Sequence, residues 1–219
     1  MRTQLAMLAF AATATATTTA NAGGNNDEVW LGGTSRALRA PSANALTAAD
    51  LAGTSIGYAR DLGVGTVPRV SLWADAAMIT GDATGTMFQT MSTEIQTLGL
   101  TGGLRLRYQL HRLVAASVRA DLGAQRVRLD IDDPQGSASD HHWGALASAG
   151  AALDLFARSR PPFGIGVRAE FGYVMAQSLE LTPHRDTPSD VLALPLTDLA
   201  LGHLDLSGPS IAVSLVGQF

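Results

Sequence analysis

Cysteine is absent from the 219 residues. That excludes disulfides, thiolate metal sites, cysteine nucleophiles and a lipidated anchor cysteine. Lysine is absent as well, so all 15 basic residues are arginine. Charged residues make up only 16%, against about 25% in ordinary soluble domains. A net charge of −4 with no basic run argues against nucleic acid as a partner. Beyond residue 26 there is no apolar run long enough to cross a membrane as a helix. Hydrophobic residues nevertheless reach 46%, too many for a disordered chain, and the length suits one domain with a sizeable core.

The first 22 residues read as a secretory signal peptide. Met1-Arg2 is a short positive region, Leu5 to Ala16 a small apolar one, and Ala20-Asn21-Ala22 an A-x-A cleavage pattern. Residues 23–219 are then one exported domain, apolar yet without a membrane helix.

The apolar residues recur with a period of two, the signature of a pleated strand. Phe163, Ile165, Val167, Ala169, Phe171, Tyr173, Met175, Leu179 and Leu181 share one face. Gly164, Gly166, Arg168, Glu170, Gly172, Ser178 and Glu180 share the other. The same alternation recurs along the chain and gives eight strands: Val29–Leu38, Leu51–Leu62, Arg69–Thr80, Glu94–Tyr108, Leu113–Leu129, His142–Ala157, Phe163–Leu181 and Leu204–Phe219. Short links at Gly63–Pro68, Gln109–Arg112 and Arg158–Pro162 alternate with long ones at Arg39–Asp50, Gly81–Thr93, Asp130–His141 and Thr182–His203. Thr47 and Asp50 have capping-box spacing for a helical turn within Ser42–Ala52. An even number of strands, with short turns at one end and long loops at the other, is the pattern of an all-β, antiparallel, up-and-down transmembrane barrel. Leu113–Leu129 and Phe163–Leu181 exceed one crossing and are expected to project. A lipocalin-like barrel with the apolar face inward is the rival fold. The Gly/Ser/Arg-rich polar face and the asymmetric connections oppose it.

The chain ends Ile211-x-Val213-x-Leu215-x-Gly217-x-Phe219. In this and in its strand pattern it resembles the small eight-stranded outer-membrane barrels of the OmpA/OmpX/OmpW type. The resemblance implies that Ile211, Val213, Leu215 and Phe219 form the signal read by the barrel-assembly machinery. Gly217 departs from the pattern, since an aromatic is common there. It also implies an outer-membrane location among lipid and lipopolysaccharide, as a monomer.

With the apolar face toward lipid, the polar face lines the lumen. Its charged residues are Asp75, Arg105, Arg107, Arg119, Asp121, Asp154, Arg168 and Glu170. An eight-stranded barrel is just wide enough for side chains to fill. Buried charges must be paired. An Arg–carboxylate network plugging the lumen is therefore expected. Tyr108, Phe163, Phe219 and Trp143 are candidates for an aromatic belt. Asp130, Asp132, Asp133, Asp140, Asp186 and Asp190 make the long loops acidic without a full calcium-loop pattern. His203-x-Asp205-x-Ser207 brings triad residue types together at strand spacing too wide for direct contact. His141-His142 lacks a third ligand nearby. No catalytic residue, metal or cofactor is expected. The expected function is structural or surface-interacting, with a side-chain-filled lumen. A narrow conduit for small or apolar solutes is the alternative, and a lipid-modifying enzyme a third.

Overall fold

The computed structural model describes residues 27–47, 50–64, 69–87, 91–133, 136–160, 163–182, 184–185 and 202–219. The segment read as a signal peptide, Asp186 and Asp190 lie outside them.

Eight strands form the wall: β1 (Asp27–Arg36), β2 (Leu51–Asp61), β3 (Val70–Met87), β4 (Met91–His111), β5 (Val114–Asp133), β6 (Gly136–Arg160), β7 (Phe163–Ala176) and β8 (Gly208–Gln218). Each pairs antiparallel with its sequence neighbours, and β8 closes on β1. Glu28 lies opposite Gln218 and Arg36 opposite Ser210. Closure leaves no open edge in the part of the wall that every strand shares.

Alternation sets the two faces. On β5, Leu122 is 73% exposed while Asp121 is 2% exposed. On β4, Leu104 and Leu106 point out, and Arg105 and Arg107 are buried inside. Val29, Leu31, Ile56, Val118, Leu153, Ile165, Val167, Phe171, Ile211, Val213 and Leu215 continue the exposed apolar band around the ring. A wall apolar outside and charged inside is stable only in lipid. The molecule is an up-and-down transmembrane barrel.

The wall is uneven in height. β1, β2 and β8 have 10, 11 and 11 residues, about one crossing. β3, β4, β5 and β6 have 18, 21, 20 and 25. Half the ring thus rises as a curved palisade at the end opposite the short turns. Along it the two faces exchange chemistry. Outward residues of β5 change from Val118, Leu122 and Ala124 to Arg126, Arg128 and Asp130. Inward residues change from Arg119, Asp121 and Gln125 to Val127, Leu129 and Ile131. The inner apolar face of the palisade is covered by α1 (Pro41–Leu46) and by Leu38, Leu179, Leu181, Leu204 and Leu206. The result is a small water-soluble type of core seated on the barrel mouth.

Several expectations are corrected. Gly81–Thr93 and Asp130–His141 are mostly strand, because Thr- and Ser-rich residues there keep pairing, as in Thr84 opposite Glu94 and Asp130 opposite Ser139. The strand from Phe163 ends at Ala176. Beyond Gln177-Ser178 the chain turns over the mouth, so Leu179 and Leu181 are buried in the upper core and do not face lipid. The projecting strands are therefore β3 to β6, and β7 stays low. Thr47 is not a helix N-cap: Pro41 opens α1, and Thr47 ends it with its amide donating to Ala43 O at 2.9 Å. The last strand begins at Gly208, short of the expected Leu204, and includes Pro209. Pro209 lies opposite Tyr173, and its carbonyl accepts from the Ala37 amide.

Candidate functional site

The lumen at the short-turn end is filled by one charged cluster. Its hub is Glu28, fully buried on β1. Arg105 Nη1 from β4 donates to Glu28 Oε1 at 2.7 Å, and Arg168 Nη2 from β7 to the same oxygen at 2.6 Å. Arg107 Nη1 and Gln218 Nε2 reach Glu28 Oε2 at 3.4 and 3.3 Å. Arg168 also grips Asp154 of β6 with both Nε and Nη2, at 2.6 and 3.0 Å. Arg107 Nη2 lies 3.6 Å from Asp154, and Arg105 Nη2 3.3 Å from Asp75 on β3. A second group sits beside it. Arg119 Nε of β5 is 3.1 Å from Asp121 and 3.0 Å from Glu170, and Ser148 donates to Asp121 at 2.8 Å.

The guanidinium planes also stack on rings. Arg105 lies 4.9 Å and Arg168 5.7 Å from the centre of Trp30. Arg107 lies 5.5 Å from that of Trp73 and 5.0 Å from that of Phe156. These contacts suit arginine, whose flat, weakly hydrated cation pairs and stacks at once. Gly57 makes the room. A Cβ there would run into the Trp30 ring.

The structure brings all eight lumen candidates, Asp75, Arg105, Arg107, Arg119, Asp121, Asp154, Arg168 and Glu170, to the inner face within these two groups. Sequence reasoning missed Glu28. Its first strand began at Val29, so the residue binding three arginines fell just outside the pattern. The alternation Glu28, Trp30, Gly32 against Val29, Leu31, Gly33 was available to find it. The role of Trp30, Trp73 and Phe156 as stacking partners was also missed. Above the cluster lies a cavity of about 40 Å³ touching Arg36, Arg119, Glu170, Ser148 and Ser214, room for about one water molecule or two. Arg36 caps it, donating to Leu206 O at 3.2 Å.

Other candidates fall elsewhere. Ile211, Val213, Leu215 and Phe219 are exposed on the outer face, and the Phe219 backbone exchanges two hydrogen bonds with Asp27 at 2.8 and 3.0 Å. Trp143, Tyr108 and Phe163 are exposed outside, Trp143 where the outer face of β6 turns polar. Asp130 and Asp132 lie on β5, and Asp130 is 2.9 Å from Arg128. Asp133 lies on β5 too. Asp140 Oδ2 accepts from the Thr182 amide at 2.7 Å and lies 3.3 Å from His142. His203, Asp205 and Ser207 do not converge. The Ser207 hydroxyl is engaged with the backbone of Ala176, and Asp205 with the Ser207 amide. Among the described residues no group of three His, Asp or Glu is placed to hold a metal.

No family model and no curated protein matches the chain. Among solved structures it is similar to Ail, the attachment invasion locus protein of Yersinia pestis, at 11% identity and a TM-score of 0.45, over 89% of this chain and 96% of that one. Neisserial surface protein A gives 8% and 0.42, over 89% and 95%. The outer membrane protease OmpT of Escherichia coli gives 8% and 0.45, over 92% and 98%. The fold assignment rests on the chain's own register and faces.

Proposed function

We propose that the protein is an outer-membrane barrel whose lumen is closed by side chains and whose work is done at the cell surface by the raised palisade. What carries the reading is the Glu28 cluster, where arginines from β4 and β7 meet on one carboxylate from β1 across the lumen. The apolar core over the mouth supports it from the other end. The short-turn end faces the periplasm, and β3 to β6 rise outside. The reading assigns no catalysis. In its support, the Ser207 hydroxyl is already committed to backbone. The last strand serves as the contact for the assembly machinery, and the barrel works as a monomer.

The test is a planar-bilayer recording of the refolded protein. Silence at all voltages is the expected result. Stable conductance steps would overturn the closed lumen and favour the narrow conduit, with the cavity beside Arg119 and Glu170 as part of its path.

A further inference from the structure

The palisade's outer face changes from apolar to charged at a definite place on each strand. Above the apolar band the outer face carries Asp82 on β3, just beyond Thr80, Gln96 on β4, Arg126 on β5 and His141 on β6. Arg126 has Leu98 of β4 and Trp143 of β6 as its register partners, with Ala124 below and Arg128 above on its own face. All of these except partly buried Leu98 are exposed. Among the described residues no carboxylate pairs with Arg126. An unpaired guanidinium between a leucine and a tryptophan is well placed for one environment, the layer of lipid headgroups.

Arg128 lies one step higher, about 7 Å along the strand, with Gln96 and His141 as its register partners. It is bonded to Asp130 through Nε at 3.0 Å, and its side chain remains 53% exposed. Glu94, which takes the Gln96 amide at 2.8 Å, and Asp132 stand higher on the same face. The sign of charge is therefore ordered. Around β5 and β6 the cations are nearest the lipid, and the carboxylates Glu94, Asp130 and Asp132 stand further out. Among the described residues of these four strands, Asp82, two strands away in the Gln96–Arg128 row, is the one outward carboxylate at the lower level.

We propose that Arg126 and Arg128, with His141 and Trp143 beside them, bind a phosphoryl group on the headgroup of an outer-leaflet glycolipid. Two planar guanidinium groups one pleat apart can bracket a phosphate with bidentate bonds. Trp143 and Leu98 pack against the sugar and upper acyl region. The carboxylates above repel a second anion, so the site takes one headgroup at one depth. The assignment rests on the orientation proposed above, in which this end of the barrel is outside.

The experiment titrates detergent-folded protein with a bis-phosphorylated glucosamine-disaccharide lipid and with its phosphate-free form. Tryptophan emission is the signal, and Trp143→Phe shows how much of it comes from the site. The phosphorylated lipid is expected to act at about tenfold lower concentration. R126Q/R128Q is expected to remove that preference while keeping heat-modifiable gel mobility. R126K, which keeps the charge but loses the fork, retains part of it, and R112Q, at the opposite rim, retains all of it. Equal response to both lipids, or preference surviving in R126Q/R128Q, overturns the proposal. So does an equal response to inorganic phosphate alone. Orientation is read separately by labelling S137C on intact cells with an impermeant maleimide, a clean probe because the chain has no other cysteine. Labelling with no lipid preference sinks only the site. Lipid preference without labelling sinks the orientation beneath it, and with it the outer-leaflet assignment.

Discussion

Glu28 shows how much depends on a single buried charge. Its carboxylate is taken out of water completely and compensated by Arg105, Arg168 and Arg107 together. Removing it leaves three guanidinium groups in a closed space with only Asp75 and Asp154 to balance them. Breaking a buried pair of this kind costs about 3–5 kcal/mol. Glu28→Ala is therefore expected to lower the stability of the refolded barrel by that amount in urea titration, read by the folded and unfolded gel bands. A loss below about 1 kcal/mol, the range of exposed pairs, would mean that water reaches the cluster. The neighbouring faces give a paired check. Val167 points into the apolar band while Arg168 points inward. Val167→Arg is expected to cost about 2–4 kcal/mol if it lies near the midplane. A neutral result there would reverse the assignment of inside and outside.

The elements above the membrane obey different rules from those within it. Leu46 of α1 is buried against the palisade with Leu51, Ala83 and Ile95, and its carbonyl accepts from Thr93. Leu46→Ala removes buried methyls, worth about 2–5 kcal/mol in a closed core. The loss is local to the cap. Faster amide exchange is expected in β3 above Asp82, with the band below unchanged, and uniform destabilisation would contradict a separable upper core. Asp140 holds the other side of the cap. Burial raises its carboxyl, but the amides of Thr182 and His141 and the side chain of His142 outweigh that, so it stays below the ordinary aspartate range. Its contribution is complete above the unfolded value, about 4, and is lost as pH falls through the depressed folded value. Asp140→Asn should therefore reproduce at neutral pH the shift of the Thr182 amide resonance seen in the wild type only in strong acid. This division also explains what was legible in the sequence. The alternation of Phe163 to Met175 gave the strands and the lumen face directly, because in lipid the apolar and polar faces must differ. The same strands above the band invert that code, so the strand from Leu113 reads only as far as Leu129, and Gly81–Thr93 and Asp130–His141 read as loops. Glu28 was lost to a boundary error of one strand end.

Across the whole molecule, one closed ring holds everything else in register, and the seam is where β8 meets β1. Nine residue pairs from Glu28–Gln218 to Arg36–Ser210 make that seam, and the backbone of Phe219 extends it to Asp27. Phe219 is 46% exposed at the lower rim, so little packing depends on it. Deleting Phe219 removes two backbone hydrogen bonds, each worth about 1 kcal/mol net, and leaves the nine pairs intact. Refolding in detergent should accordingly lose only a small part of its yield. In cells the proposed assembly contact reads the end of β8 before the ring has closed, when Ile211, Val213, Leu215 and Phe219 are the apolar face on offer. The same deletion should therefore sharply reduce the heat-modifiable band recovered from membranes. The two settings are measured on one gel system. Equal loss in both would make Phe219 a seam residue only, and full recovery in cells would remove the terminal strand's role in assembly while leaving the closed barrel as described.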